Sequence, residues 1–283
     1  MSSNHGIPFF SIIIAVKNAQ QTLHTTLQSC KANIAQLPPG SCELLVVPGG
    51  QDEAYVQAYL HQFDISARII RSPSGLSQAL NAGVHAAQGL YSLFLHADDE
   101  WGPDYLITLQ GVLLRNSMLG RGACVVYTTV EFMDHNGQAL YRRFPPPYIS
   151  FIHKFHSIIL HPNAVYPTFL LRRHPFPVLD NGRPCDREQV YRLMKDAIPV
   201  RCGIVTYRFR IWSGSTTVRN AAVKRAQRPL CHRLCEIACR CYIQLFETHL
   251  LRRALMRISK GTTYWTSPPR ETRHQPAEIS SRL

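Results

Sequence analysis

The chain has 283 residues, 45% of them hydrophobic and 17% charged, which is enough apolar material for a sizeable core and argues against global disorder. Its net charge of +13 is unevenly spread: residues 1–200 carry 15 Lys and Arg against 14 Asp and Glu, while residues 201–283 carry 16 against 4. A near-neutral front argues against a nucleic-acid-binding core. No apolar run is long enough to cross a bilayer, and nine cysteines without framework spacing suit reduced thiols. The first residues lack the basic-then-apolar pattern of a signal peptide, so a cytoplasmic location is expected.

Residues 1–8 read as a loose lead. Residues 9–16 are rich in β-branched side chains and read as a buried parallel strand ended by Lys17-Asn18-Ala19. Leu23, Leu27, Cys30 and Ile34 follow at helical spacing, and Pro38-Pro39-Gly40 breaks that helix. A second strand at 43–47 ends in Pro48-Gly49-Gly50. A helix over 52–63, a short strand at 68–70 and a small-residue helix over 77–88 come next. This alternation implies βαβ units and a parallel sheet flanked by helices. A helix is expected at 104–115 and a strand at 123–130, with 138–143 pairing to it across Asp134-His135-Asn136-Gly137. Beyond a proline-stiffened connector lie a segment at 164–173, a Pro- and Gly-rich loop at 174–185, a helix at 186–196 and a strand at 203–211. Residues 229–258 read as a long basic amphipathic helix and 261–283 as a loose tail.

The stretch Leu90 to Glu100 stands apart, an apolar run that ends in Asp98-Asp99. Acids at the C-terminal end of a parallel strand sit where open α/β sheets place ligands. A hard divalent cation is one physical partner for two adjacent carboxylates. An acidic turn, or the first turn of a helix, is the other reading. No Gly-x-Gly-x-x-Gly follows the first strand and there is no Walker lysine, which argues against a dinucleotide fold and a P-loop ATPase.

Several stretches together resemble the family 2 glycosyltransferases, over roughly residues 9–216. They are Ser11–Asn18, Leu44–Asp52, Gly75–Gly83, Gly89–Asp99, His161–Ala164 and Asp186–Leu193. The resemblance is nearest to members that build bacterial exopolysaccharide and lipopolysaccharide. It implies an α/β GT-A fold over residues 9–220, with a mostly parallel central sheet and a basic helical extension at 221–283. It also implies an inverting transfer from a nucleotide-diphosphate sugar to a hydroxyl of a lipid-linked or saccharide acceptor. Asp98 and Asp99 would hold Mg²⁺ or Mn²⁺, with Asp98 the direct ligand. Asp186 would be the general base with Glu188 in reserve, although an acid opening a helix also suits a cap. Donor contacts would come from Val16, Asn18, Pro48, Gly49, Gly75, Asn81, His96, Ala97 and His161, with Gly75 and Gly89 also serving backbone geometry.

Three departures bear on that reading. Pro48 stands where relatives often carry an acid that holds the nucleotide base, leaving Asp52 or a backbone carbonyl for the task. Lys17 replaces a usual Tyr, and His96 replaces an Asp or Asn ahead of the acid pair. They motivate the alternative of a non-catalytic nucleotide-sugar-binding or scaffold protein with a degenerate site. A nucleotidyltransferase is a further rival, but residues 17–22 lack its Gly-rich basic loop.

Other clusters read more plainly. His153 and His156 suit core or surface positions, since no zinc spacing is present. Cys231, Cys235 and Cys239 fall on one helical face and suit packing. The helix at 229–258 suits either an inner-membrane interface or a face packed on the domain. No nucleic-acid partner is expected.

Overall fold

Alternation within the first strand sets the layers of the fold. The computed structural model describes residues 6–155, 157–178 and 186–212, together with Cys241 and residues 263–264. In β1 (Phe10–Val16), Ile12 and Ile14 join one apolar cluster and Ile13 joins another, so the strand is buried on both faces. Each fully buried side chain of this size contributes about 1.5–3 kcal/mol.

On the Ile12 face lie α1 (Leu23–Ile34), α2 (Glu53–Gln62) and α4 (Tyr105–Met118), through Leu23, Leu27, Val56, Leu60, Leu106 and Leu109. On the Ile13 face lie α3 (Leu76–Ala86), α6 (Thr168–Arg173) and α7 (Asp186–Leu193), through Leu80, Val84, Leu170, Val190 and Leu193. A short helix, α5 (Ser150–Phe155), packs beside α7.

Between these layers runs one sheet. β2 (Cys42–Pro48) and β4 (Tyr91–Phe94) flank β1 in parallel, and β3 (Arg68–Ile69) extends the parallel edge beyond β2. β8 (Ala164–Pro167) then runs antiparallel between β4 and β6 (Cys124–Met133). β9 (Ile198–Arg210) pairs with β6 in parallel, and β7 (Ala139–Arg143) forms the expected hairpin with β6. β5 (Glu100–Trp101) crosses to β9 antiparallel.

Two expectations change here. β9 begins at Ile198, five residues before the expected start, with Pro199 opposite Val125 and the buried Arg201 opposite Tyr127. A proline and an arginine disguise the strand, and a register shift between Thr128 and Thr129 breaks its period. Within the stretch expected as a loose tail, β10 (Thr263–Tyr264) pairs in parallel with Arg201–Cys202, where it satisfies an otherwise open sheet edge. The expected helix at 229–258, with Cys231, Cys235 and Cys239, lies outside the described residues except for Cys241, which is helical and exposed. Among the described residues no helix is long and apolar enough to cross a membrane.

Gly89 shows how tightly β4 enters the sheet. A Cβ there would lie 2.7 Å from the Phe10 carbonyl carbon and the Ser11 nitrogen, both backbone atoms. Its N–H donates to Ser11 Oγ at 2.8 Å. Gly89→Ala is expected to destabilise the protein by about 1–3 kcal/mol in chemical denaturation. Gly111→Ala, on an open part of α4, is expected to stabilise it by up to about 1 kcal/mol.

Candidate active site

Parallel strands β1, β2 and β4 deliver three chain segments to the same end of the sheet. Val16 is in register with Pro48, and the Gly49 N–H donates to the Val16 carbonyl at 2.8 Å. Asn18 adopts a left-handed φ of 52°, and its N–H donates to Asp52 Oδ2 at 3.1 Å. Lys17 and Asn18 are exposed on this rim, whereas Asp52 is buried. Asp52 therefore ties the two strand-end loops together through Oδ2.

The third segment carries the acids. Past β4, the Leu95 N–H still donates to Ile13, and then the chain turns, with the Asp99 N–H donating to the His96 carbonyl at 3.0 Å. Helix α1 secures this turn from below. Thr22 Oγ1 donates to the Ala97 carbonyl at 2.9 Å, and Thr26 Oγ1 donates to the Asp99 carbonyl at 2.7 Å. Ala97 thus contributes a buried backbone anchor.

Strand β9 secures the turn from above. The Asp99 carboxylate is 1% exposed: Oδ1 accepts the Arg210 N–H at 2.8 Å and Oδ2 accepts the Tyr207 hydroxyl at 2.6 Å. Tyr207 also accepts the His96 N–H at 3.2 Å. Arg210 Nε donates to the Asp98 carbonyl at 2.9 Å, and its Nη2 pairs with Glu100 at 2.5 Å. Arg208 bridges Glu100 at 2.5 Å and Glu131 at 3.0 Å. The indole N–H of Trp212 donates to Asp98 Oδ2 at 3.3 Å. Nothing local in the sequence marks Tyr207, Arg210 and Trp212 as partners of these acids. Their polar tips sit at the end of an apolar strand, but the acids they meet are more than a hundred residues away.

His96, Asp98 and Asp99 place ligand atoms within 4.8 Å of one another. Burial, and then the neighbouring Asp99 charge, push the Asp98 carboxyl up to about 6. Burial works to lower the His96 imidazole. Its contact with Asp99 (3.4 Å) and the charges of Asp98 and Asp186 outweigh that and raise it. A cluster with two acids, one of them carrying a raised pKa, fits a divalent cation. The mixed oxygen and imidazole donors suit Mn²⁺ better than Mg²⁺.

One consequence is measurable. An unfolded aspartate titrates near 3.8, so between that value and about 6 the folded chain holds a proton that the unfolded chain has released. The contribution of Asp98 to stability therefore falls as pH rises through this window and stays unfavourable above it. Mn²⁺ is expected to raise the melting temperature more at pH 7.5 than at pH 5.

Asp186 opens α7, with Oδ1 accepting the Arg187 N–H at 2.9 Å. Its charge acts on both His96 and the buried Tyr166. Glu188, expected as a reserve base, instead pairs with Arg192 at 3.8 Å with about half its side chain exposed, one helical turn along a solvent-facing side.

His161 lies in a short 3-10 turn, 3% exposed, with its ring centroid 4.2 Å from Phe94 and 5.8 Å from His96. Burial and the nearby His96 hold its pKa well below the usual imidazole value. Neither ring nitrogen has a hydrogen-bond partner among the described residues. His153 is a core histidine, with Nδ1 accepting the Ile158 N–H at 3.2 Å, while His156 lies outside the described residues.

Two residues expected at the donor also serve the fold. Asn81 spends both ends of its amide on the Phe176 backbone, at 2.9 Å each. Gly75 starts α3 at φ 129°, where a Cβ would collide with Gln78.

Comparisons with known proteins agree with this architecture. Residues 11–177, more than half of the chain, match the model of glycosyl transferase family 2. A PGL/p-HBAD biosynthesis glycosyltransferase of Mycobacterium bovis is 36% identical over 96 residues, and one of Mycobacterium tuberculosis is equally similar. The match covers 32% of this chain and 36% of each relative, so the chain spans about a third of their length. Among solved structures, S. aureus TarS in complex with UDP-GlcNAc is similar with a TM-score of 0.52 at 16% identity, covering 73% of this chain and 59% of TarS. TarS in complex with UDP gives 0.53 at 15% identity, covering 89% of this chain and 75% of TarS. That likeness is one of fold.

Proposed function

The chain belongs to glycosyl transferase family 2, and on that premise we propose that it transfers a sugar from a nucleotide-diphosphate donor to an acceptor hydroxyl with inversion. The observation that carries this reading is the arrival at one sheet end of the Val16–Gly49 loop contact and the His96, Asp98 and Asp99 cluster; the charge of Asp186 acts on that cluster through His96.

In this reading Asp98, with Asp99 and His96 beside it, holds a divalent cation. When bound, that cation neutralises charge on the departing diphosphate. The exposed Lys17–Asn18 rim and the Gly49 backbone face the nucleotide. Asp186 accepts the proton of the acceptor hydroxyl as its oxygen bonds to the anomeric carbon and the bond from that carbon to phosphate breaks, its electron pair leaving on the diphosphate. A single base and a single displacement invert the anomeric centre. The acceptor is a lipid-linked or saccharide hydroxyl in surface polysaccharide synthesis, and the basic 201–283 stretch suits the inner face of a membrane.

A second reading has its own observation. His96 lies 3.4 Å from Asp99, and the acids around it raise its pKa; once protonated it would put a positive charge inside the cluster, weaken cation binding and leave a donor-binding protein without turnover. Release of UDP or GDP from a panel of their sugars, measured with and without Mn²⁺, separates the two. Metal-dependent release from at least one donor supports transfer. Donor binding by calorimetry without release from any donor supports the second reading.

A further inference from the structure

The two acids of the cluster are held very differently. Asp99 has both oxygens committed to β9, through the Arg210 N–H and the Tyr207 hydroxyl. The Asp98 backbone is fixed by Arg210 Nε, but among the described residues the only side chain that donates to its carboxylate is Trp212. A carboxylate offers about four lone-pair sites, so one indole N–H leaves Asp98 with room for a cation while limiting the rotation of its side chain.

The position of Trp212 is itself set by the fold. Two residues before it, Arg210 is pinned to Asp99, and the intervening Ile211 N–H donates to the Met133 carbonyl at 2.8 Å. Its chemistry also suits the place. Indole donates, does not accept and stays neutral, so it orients the acid without adding a positive charge that would compete with a metal. Arg208 and Arg210, the cations nearest in sequence, are turned to Glu100 instead.

We propose that Trp212 is the positioning residue for Asp98: its indole N–H holds Oδ2 and leaves Oδ1 to take the divalent cation. The inference rests on the metal-binding reading of the cluster. It assigns to the residue just past β9 a part in cation affinity, and through it in donor binding.

The test is Mn²⁺ binding to the full chain without donor, followed by electron paramagnetic resonance at pH 7.5, with melting temperature recorded for each variant. Trp212→Phe keeps an aromatic ring but loses the donor, and is expected to weaken Mn²⁺ binding about tenfold, the loss of one hydrogen bond to a charged group. Trp212→Gln loses the ring but keeps an N–H donor, and is expected to recover part of that loss. Asp98→Asn is expected to abolish binding. Unchanged Mn²⁺ affinity in Trp212→Phe overturns the inference while leaving the metal reading intact. Equal weakening in the Phe and Gln variants also overturns it, since ring packing would then be the cause. Absence of saturable Mn²⁺ binding to the unaltered protein overturns both.

Discussion

Asp98→Asn is expected to reduce sugar transfer about a thousandfold, the scale of losing a preorganised charge at a developing anion. The substitution keeps the shape of the side chain and can still accept from Trp212, but it removes the negative charge. The surrounding loop should survive, because Asp99, the Ala97 carbonyl and the Asp98 carbonyl keep their partners on β9 and α1. Because the half-buried charge of Asp98 beside Asp99 costs stability above pH 6, the Asn variant is also expected to melt higher than the unaltered protein at pH 7.5 without metal. An inactive variant that is more stable than its parent distinguishes loss of a site from loss of a fold. Steady-state turnover and thermal denaturation on the same preparation measure both.

Asp186→Asn is expected to lower turnover about 10²–10⁴-fold, the usual contribution of a general base, while Mn²⁺-dependent binding of UDP or GDP stays as it was. The separation follows from position. Asp186 stands on α7, acts on His96 through its charge, and is not among the three grouped ligands. Loss of that charge also removes one of the supports that raise His96, so the imidazole is expected to titrate lower in the variant. NMR titration of His96 checks this shift independently of activity. Glu188→Gln, on the exposed side of the same helix, is expected to leave turnover unchanged.

Much of this architecture is legible in the sequence because the relevant signals are local. The β-branched run at 10–16, the small-residue face of α3 and the apolar stretch ending in Asp98-Asp99 each carry their own period or composition. The site is less legible where it depends on contacts distant in sequence. Arg210 looks like a solvated charge at a strand end until its N–H meets Asp99 and its guanidinium meets Glu100. Asn81 looks like a ligand-binding polar group, yet both ends of its amide bond the Phe176 backbone, and Asp52 gives one oxygen to the Asn18 N–H. Polar residues at a ligand-facing sheet end can hold the ligand or hold the loops, and only the partner's position decides which. His96 is the intermediate case. Sequence marks it as unusual, and the structure places its ring 3.4 Å from Asp99, with the charges of three acids favouring its protonated form.

The most direct test of the central claim, that the end of β4 holds a cation for a diphosphate, is calorimetric titration of UDP and GDP into the unaltered protein and Asp98→Asn, with and without Mn²⁺. The account predicts that at least one nucleotide binds the unaltered protein much more tightly with Mn²⁺, and that Asp98→Asn loses this enhancement. Equal Mn²⁺ enhancement in both proteins, or no nucleotide binding to the unaltered protein under either condition, would contradict it.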